Sequence, residues 1–173
     1  EKMSDTYKNN GLYEEQIIIL NKWLEVEPTN KKAISDKKYA FNQLGKDESD
    51  VDRERWEAEK NNIQYGISYI KSLVENNDYN TAVKIGDELY KSYPKDKNLL
   101  KALSDLYLDS YEDEKAVKYL EALANIDSKN VEVMLNLSNT YINLSEYRKA
   151  YELADKAISL EKKLSEAYYQ RGL

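Results

Sequence analysis

The chain has 173 residues, with 26 Lys and Arg against 32 Asp and Glu, a net charge of -6, and no Cys or His. Without Cys there is no disulfide framework or thiolate metal site, and without His the commonest general base and metal ligand is missing. The acidic balance repels a nucleic-acid backbone and an anionic membrane, and five Gly with no GxxxxGK pattern offer no phosphate-cradling loop. An enzyme would have to run on carboxylates, Lys or Tyr alone, so the expectation is no catalysis, no cofactor and no metal.

Residues 1–10 read as the end of a first helix with Tyr7 on its core side. Residues 12–26 read as its partner, with Gln16, Leu20 and Trp23 at helical spacing. Pro28 stops that helix, and Thr29 and Asn30 are candidate caps for the next. Residues 17–20, Ile-Ile-Ile-Leu, are too few to cross a bilayer. Being apolar on nearly every side, they suit a helix sandwiched between neighbours, or alternatively a self-association surface.

Residues 31–44 form the next helix, with Ala33, Ile34, Phe41 and Leu44 inward. Its partner, residues 47–60, is almost entirely charged, with only Val51, Trp56 and Ala58 apolar. The preferred reading is one long helix from Ser49 to Asn76 striped by Trp56, Ile63, Ile67, Ile70 and Val74, its charged face solvated. A break at Asn61 and Asn62 is the competing one. From Ile63 onward the pattern is regular. Asp78 or Asn80 can cap the helix that precedes Pro94, and Asp96 caps residues 97–109. Ser110 with Asp113 resembles a capping box for 112–126, and Ser145 can cap 147–160. A last helix starts near Leu164 and the chain stops in mid-repeat at Leu173. With Glu1 in place of an initiator Met, this reads as part of a longer protein. The compartment is left open, the cytoplasm being only a default.

A ruler runs through the chain: Gly11, Gly45, Asn77, Tyr111 and Ser145, at steps of 34, 32, 34 and 34. Gly and Asn enter the left-handed conformation that ends a helix at low cost, so three of the five suit a turn. In phase with it, Leu100, Leu103 and Tyr107 correspond to Met134, Leu137 and Tyr141. Ala116, Leu120 and Leu123 likewise correspond to Ala150, Ala154 and Ala157. Large residues here read as packing residues, and small Ser138 and Ala150 mark close helix approach.

The spacing Met134-x2-Leu137-Ser138-x2-Tyr141 followed by Ala150-x3-Ala154 and Ala157 resembles a tetratricopeptide repeat, as does Leu100-x2-Leu103-Ser104-x2-Tyr107 followed by Ala116-x3-Leu120. Tyr69, Leu73, Ala82, Gly86, Leu89 and Pro94 make a looser copy. Residues 165–172 resemble the opening of another, and Tyr7, Leu20, Trp23 and Pro28 the end of an earlier one. The resemblance implies an all-α, right-handed superhelical α-solenoid of helix-turn-helix repeats. They divide at about 1–30, 31–62, 63–96, 97–130, 131–164 and 165–173, the first and last partial and the second degenerate.

In that family the first helix of each pair lines a groove that holds a peptide or helix. The resemblance implies such a face here at Ile67, Lys71, Val74, Asn98, Lys101, Asp105, Leu108, Leu135, Asn136, Asn139, Ile142, Asn143, Glu166, Tyr169 and Gln170. Val74, Leu108 and Ile142 recur in phase as an apolar strip. Asn136, Asn139 and Asn143 share one helix face and could hold a peptide backbone, although an Asn-rich composition can place three Asn there by itself. Family members that grip acidic chaperone tails use Lys and Asn four apart, then an Asn, then Lys and Arg. The matching residues are Lys101, Asp105, Asn136, Glu166 and Gln170, so that ligand is not expected. The expected role is a protein-interaction scaffold for a protein or peptide partner, with no nucleic acid and no membrane insertion. The alternatives are self-assembly through the ends as a homo-oligomer, and a regulatory arm of an enzyme whose catalytic domain lies outside the chain.

Overall fold

The structure, a computed structural model, describes residues 2–161 and 165–172. Every regular element among them is a helix: α1 (Lys2–Asn9), α2 (Tyr13–Val26), α3 (Lys31–Gln43), α4 (Ser49–Ala58), α5 (Ile63–Glu75), α6 (Tyr79–Ser92), α7 (Lys97–Asp109), α8 (Asp113–Ile126), α9 (Val131–Asn143), α10 (Tyr147–Leu160) and α11 (Ser165–Gly172). The chain divides into two compact units, Glu1–Ser72 and Leu73–Leu173.

The turns carry the repeat. All five ruler residues have positive φ: Gly11 70°, Gly45 67°, Asn77 60°, Tyr111 58° and Ser145 61°. In each turn that residue's N–H donates three residues back and the next N–H donates five back. Tyr111 bonds Leu108 at 3.1 Å and Glu112 bonds Tyr107 at 2.8 Å; Ser145 bonds Ile142 at 2.9 Å and Glu146 bonds Tyr141 at 2.8 Å. This paired closure satisfies carbonyls that the helix end would otherwise leave open. It also revises two capping expectations. Ser145 is itself the left-handed residue, and Glu146 precedes α10 without a side-chain cap bond. Ser110 Oγ turns back to the Tyr107 carbonyl at 3.3 Å, and α8 likewise begins after Glu112 without a side-chain cap. The caps at Asn30, Asp78 and Asp96 are as read, accepting from the N–H groups of Ala33, Thr81 and Leu99; Asn130, which the sequence reading did not name, accepts from that of Val133.

Tyr111 is 92% exposed and gains nothing from its side chain to offset the left-handed backbone. Tyr111→Gly is therefore expected to stabilise the chain by about 0.5–1 kcal/mol. The urea midpoint would rise; an unchanged or lower midpoint would show that the turn is not strained.

In the first unit α4 and α5 are separate helices, which corrects the reading of one long helix. Asn62 causes the break: its side-chain oxygen accepts from the Gln64 N–H at 3.2 Å while its own N–H bonds the Glu59 carbonyl at 2.9 Å. Such local side-chain bonding competes with the helical ladder. The helix α4 has 10 residues where α2, α6, α8 and α10 each have 14. It is not merely a solvated charged segment, because Val51, Asp52 and Trp56 are buried. Asp52, 2% exposed, is held by Lys38 of α3 at 2.5 Å and accepts from Ser72 Oγ of α5, with Arg55 at 3.6 Å. A second polar contact joins α1 to α2, where Gln16 Nε2 donates to Ser4 Oγ at 3.3 Å, both residues buried. The run at 17–20 obeys helical periodicity: Leu20 is fully buried, Ile17 and Ile19 half-buried, and Ile18 exposed.

In the second unit the same helix crossings are small and apolar. Ala82, Ala116 and Ala150 are all buried. Ser138 Oγ donates to the Ala150 carbonyl at 2.9 Å, a bond that only a close approach of α9 to α10 permits. Around these points Leu99, Leu100, Leu103, Leu106, Leu120 and Met134 have almost no exposed surface. Each buried Leu contributes roughly 1.5–3 kcal/mol. The helices pack on their chain neighbours throughout, α6 on α7, α7 on α8, α8 on α9 and α9 on α10.

Candidate partner-binding surface

The expected groove residues fall into three groups. Ile67 and Leu135 are buried, at 4% and 9% exposure, and Leu135 packs with Met134, Ala157 and Ile158. Both are core residues in this fold, not open contacts. Lys71, Asn98, Lys101, Asn139 and Asn143 are exposed, and Val74, Asp105, Leu108, Asn136 and Ile142 are half-buried. Tyr169 on α11 is 69% exposed. The side chains of Glu166 and Gln170, like Leu164 and Leu173, lie outside the described residues.

The apolar strip has a structural definition that spacing alone does not reveal. Val74, Leu108 and Ile142 each supply the carbonyl that accepts from the left-handed residue of their turn. The residue before each, Leu73, Tyr107 or Tyr141, is the buried one whose carbonyl takes the second bond. The strip position therefore leaves the core at a fixed angle in every turn. At the same position in the first unit stand Lys8 and Asn42, so the apolar character is confined to the second unit.

Lys101 is not a free cation. Its Nζ reaches Glu132 at 2.7 Å, tying α7 to α9, and Lys97 makes a parallel pair with Asp127 at 3.4 Å. The hydrogen bond to Glu132 raises the Lys101 pKa, with Asp105 adding in the same direction. Glu132 and Asp127 did not emerge from the sequence reading; the signal available was opposite charge about one repeat away. The face thus offers amides and apolar side chains, together with a Lys already neutralised.

The second unit also holds a tyrosine system, of which the spacing identifies Tyr107 and Tyr141 as packing residues but not Tyr90 or Tyr119. Tyr107 of α7 stacks on Tyr119 of α8 with ring centroids 5.5 Å apart, and Tyr119 meets Tyr90 of α6 edge-on at 5.3 Å. One repeat later Tyr141 donates its hydroxyl to Glu121 and carries Lys149 over its ring at 4.8 Å. Burial, and then the bond to Glu121, push the Tyr141 pKa well above 10.0. An acid held protonated in the fold favours folding below the unfolded pKa and loses that contribution as pH rises through the folded one. Stability is therefore expected to fall above about pH 10, and Tyr141→Phe to flatten that part of the profile. Urea midpoints measured on either side of pH 10 would check it.

Residues 131–164 match the tetratricopeptide repeat family. The fold agrees over nearly the whole chain. YrrB, described as a TPR protein with an unusual peptide-binding site, is 16% identical, with 99% of this chain and 90% of that one aligned at a TM-score of 0.68. MamA from Desulfovibrio magneticus RS-1 is 17% identical over 95% and 94% of the two chains, with a TM-score of 0.66. PilF of Pseudomonas aeruginosa is 18% identical over 98% and 78%, with a TM-score of 0.65. This is a tetratricopeptide repeat fold. No curated protein sequence matches the chain. Among the described residues no helix of the tetratricopeptide array is long and apolar enough to cross a membrane, and no cluster of His, Cys, Asp or Glu could hold a metal ion.

Proposed function

We propose that the chain is a protein-interaction scaffold whose second unit holds a peptide segment or helix of a partner along α7 and α9. The observation that carries this reading is the recurrence of Val74, Leu108 and Ile142 at one turn position, half-buried and apolar in each. Around them Asn98, Asn136, Asn139 and Asn143 present both donors and acceptors, which suits a main chain. The strip would supply most of the affinity, and the amides the orientation. Likeness to YrrB supports the class of ligand, because that protein is described as peptide-binding. Tyr169 would extend the surface onto α11, and the Lys101–Glu132 pair would flank it.

The test compares the unmodified chain with a Leu108→Arg, Ile142→Arg variant whose helical content is checked by circular dichroism. Partners captured by the parent are expected to bind the variant at least about 100-fold more weakly, since two central apolar anchors are lost. Equal capture by a folded variant would move the binding surface elsewhere. If neither captures a partner while sedimentation shows concentration-dependent association, self-assembly takes its place.

A further inference from the structure

The second unit contains its own template for an unfilled site. Between α8 and α10, with α9 as floor, lies an open cleft of about 590 Å³ whose lining includes Glu121, Ala124, Tyr141, Lys149, Leu153 and Lys156. Shifting three of these back by 34 residues turns Ala124 into Tyr90, Tyr141 into Tyr107 and Leu153 into Tyr119. Those tyrosines are the ones in mutual ring contact: Tyr119 stacks on Tyr107 at an interplanar angle of 5° and meets Tyr90 at 83°. Other partners recur as well. Lys115 stands over the Tyr107 ring at 5.4 Å as Lys149 stands over Tyr141, and Asp87 acts electrostatically on Tyr107 where Glu121 takes the Tyr141 hydroxyl.

The two copies thus share floor, one cation and an acid; they differ in the two rings that cover the floor and in Lys118, which stands over Tyr90 and Tyr119 and is replaced in the cleft by Glu152. We infer that the cleft between α8 and α10 is a second binding site, distinct from the α7–α9 face, which takes an aromatic side chain of a partner protein in the place that Tyr119 occupies one repeat earlier. The lining pairs Lys156 with the acids Glu121 and Glu152, and Lys149 is itself held by Glu146 at 2.6 Å, so Lys156 is the cation that could face an incoming aromatic ring. Offset and edge-on ring packing is worth more than its buried area alone, so a ring gains more here than an aliphatic chain of similar size. A tyrosine or tryptophan on an exposed partner segment is the ligand class.

The probe is N-acetyl-tyrosinamide, titrated into the 15N-labelled full chain, with N-acetyl-leucinamide as the aliphatic comparison. The tyrosine amide is expected to shift the amide resonances of Ala124, Leu153 and Lys156 with a dissociation constant on the order of 1 mM, and the leucine amide to leave them nearly unmoved. Leu153→Tyr should supply the missing ring from within and abolish the shifts. Ala124→Tyr serves the same purpose should the first variant fail to fold, and Leu108→Arg, on the other face, should leave them intact. No shifts at these positions, equal shifts from the leucine amide, or shifts that persist in a folded Leu153→Tyr chain would each overturn the assignment. The partner capture that tests α7 and α9 is read separately, so either site can fail alone.

Discussion

Asp52→Ala is expected to destabilise the first unit by about 3–5 kcal/mol, the range for removing one partner of a buried ion pair. The aspartate is 2% exposed and is held from three sides by Lys38, Ser72 and Arg55. Removing it leaves the Lys38 ammonium, whose side chain is only 26% exposed, facing Ser72 without a countercharge. The penalty comes from that orphaned charge more than from the lost bond. Replacing both members, as in Lys38→Met with Asp52→Leu, should therefore restore most of the stability. A double-mutant cycle by urea denaturation checks both statements. A loss below about 1 kcal/mol for the single change would show the pair to be solvated.

Ala150→Gln is the second large effect, and it plants in the last full repeat the residue that the first repeat carries at the same position, Gln16. In the first unit Ser4 accepts the amide N–H of Gln16, while Gln16 Oε1 is buried without a partner. Ala150 is 1% exposed, and Ser138 Oγ spends its one proton on the Ala150 carbonyl, so it could accept a Gln amide N–H there but could not serve the amide oxygen. Overpacking would add about 1–3 kcal/mol of destabilisation, and an unsatisfied buried amide about 1–3 kcal/mol more. Thermal melts of the variant should show a clear fall. A neutral result would mean that α9 and α10 separate readily and that small residues are not required where they cross.

Where a residue's environment is set by its own helix or its own turn, the sequence reading holds. Leu100, Leu103, Tyr107, Met134, Leu137 and Tyr141 are all buried, and the alanines of α8 and α10 lie where the helices meet. The caps at Asn30, Asp78 and Asp96 are also as read, because a cap needs only a neighbour three residues on. Misreadings begin where a distant partner decides. Asp52 looks like surface until Lys38 and Ser72, 14 and 20 residues away, are brought to it. Ser145 suits a cap by propensity, yet the paired turn bonds place it in the left-handed position, and Tyr111 is held there against its preference. The break at Asn62 is the less favoured reading of the sequence for a related reason, since the apolar stripe continues across it while the competing bonds are local. On the candidate surface, spacing identified the strip but could not reveal the depth at which Leu135 and Ile67 sit, nor that Glu132 occupies Lys101.

Because each helix of the second unit packs chiefly on the ones beside it in the chain, contacts close short loops. Short loops lose little chain entropy on closing, which is the condition for fast folding. An array of nearest-neighbour interfaces can also nucleate at any pair and spread outward. The alanine crossings of α7 with α8 and of α9 with α10 are the natural places to start, since no buried charge must find its partner first. The first unit has to bring Lys38, Asp52 and Ser72 together from three helices before the buried carboxylate is paired and hydrogen-bonded. Hydrogen exchange in the native state should accordingly protect α7 to α10 longest and release α4 early, making order of assembly a property written unevenly along a chain of similar turns.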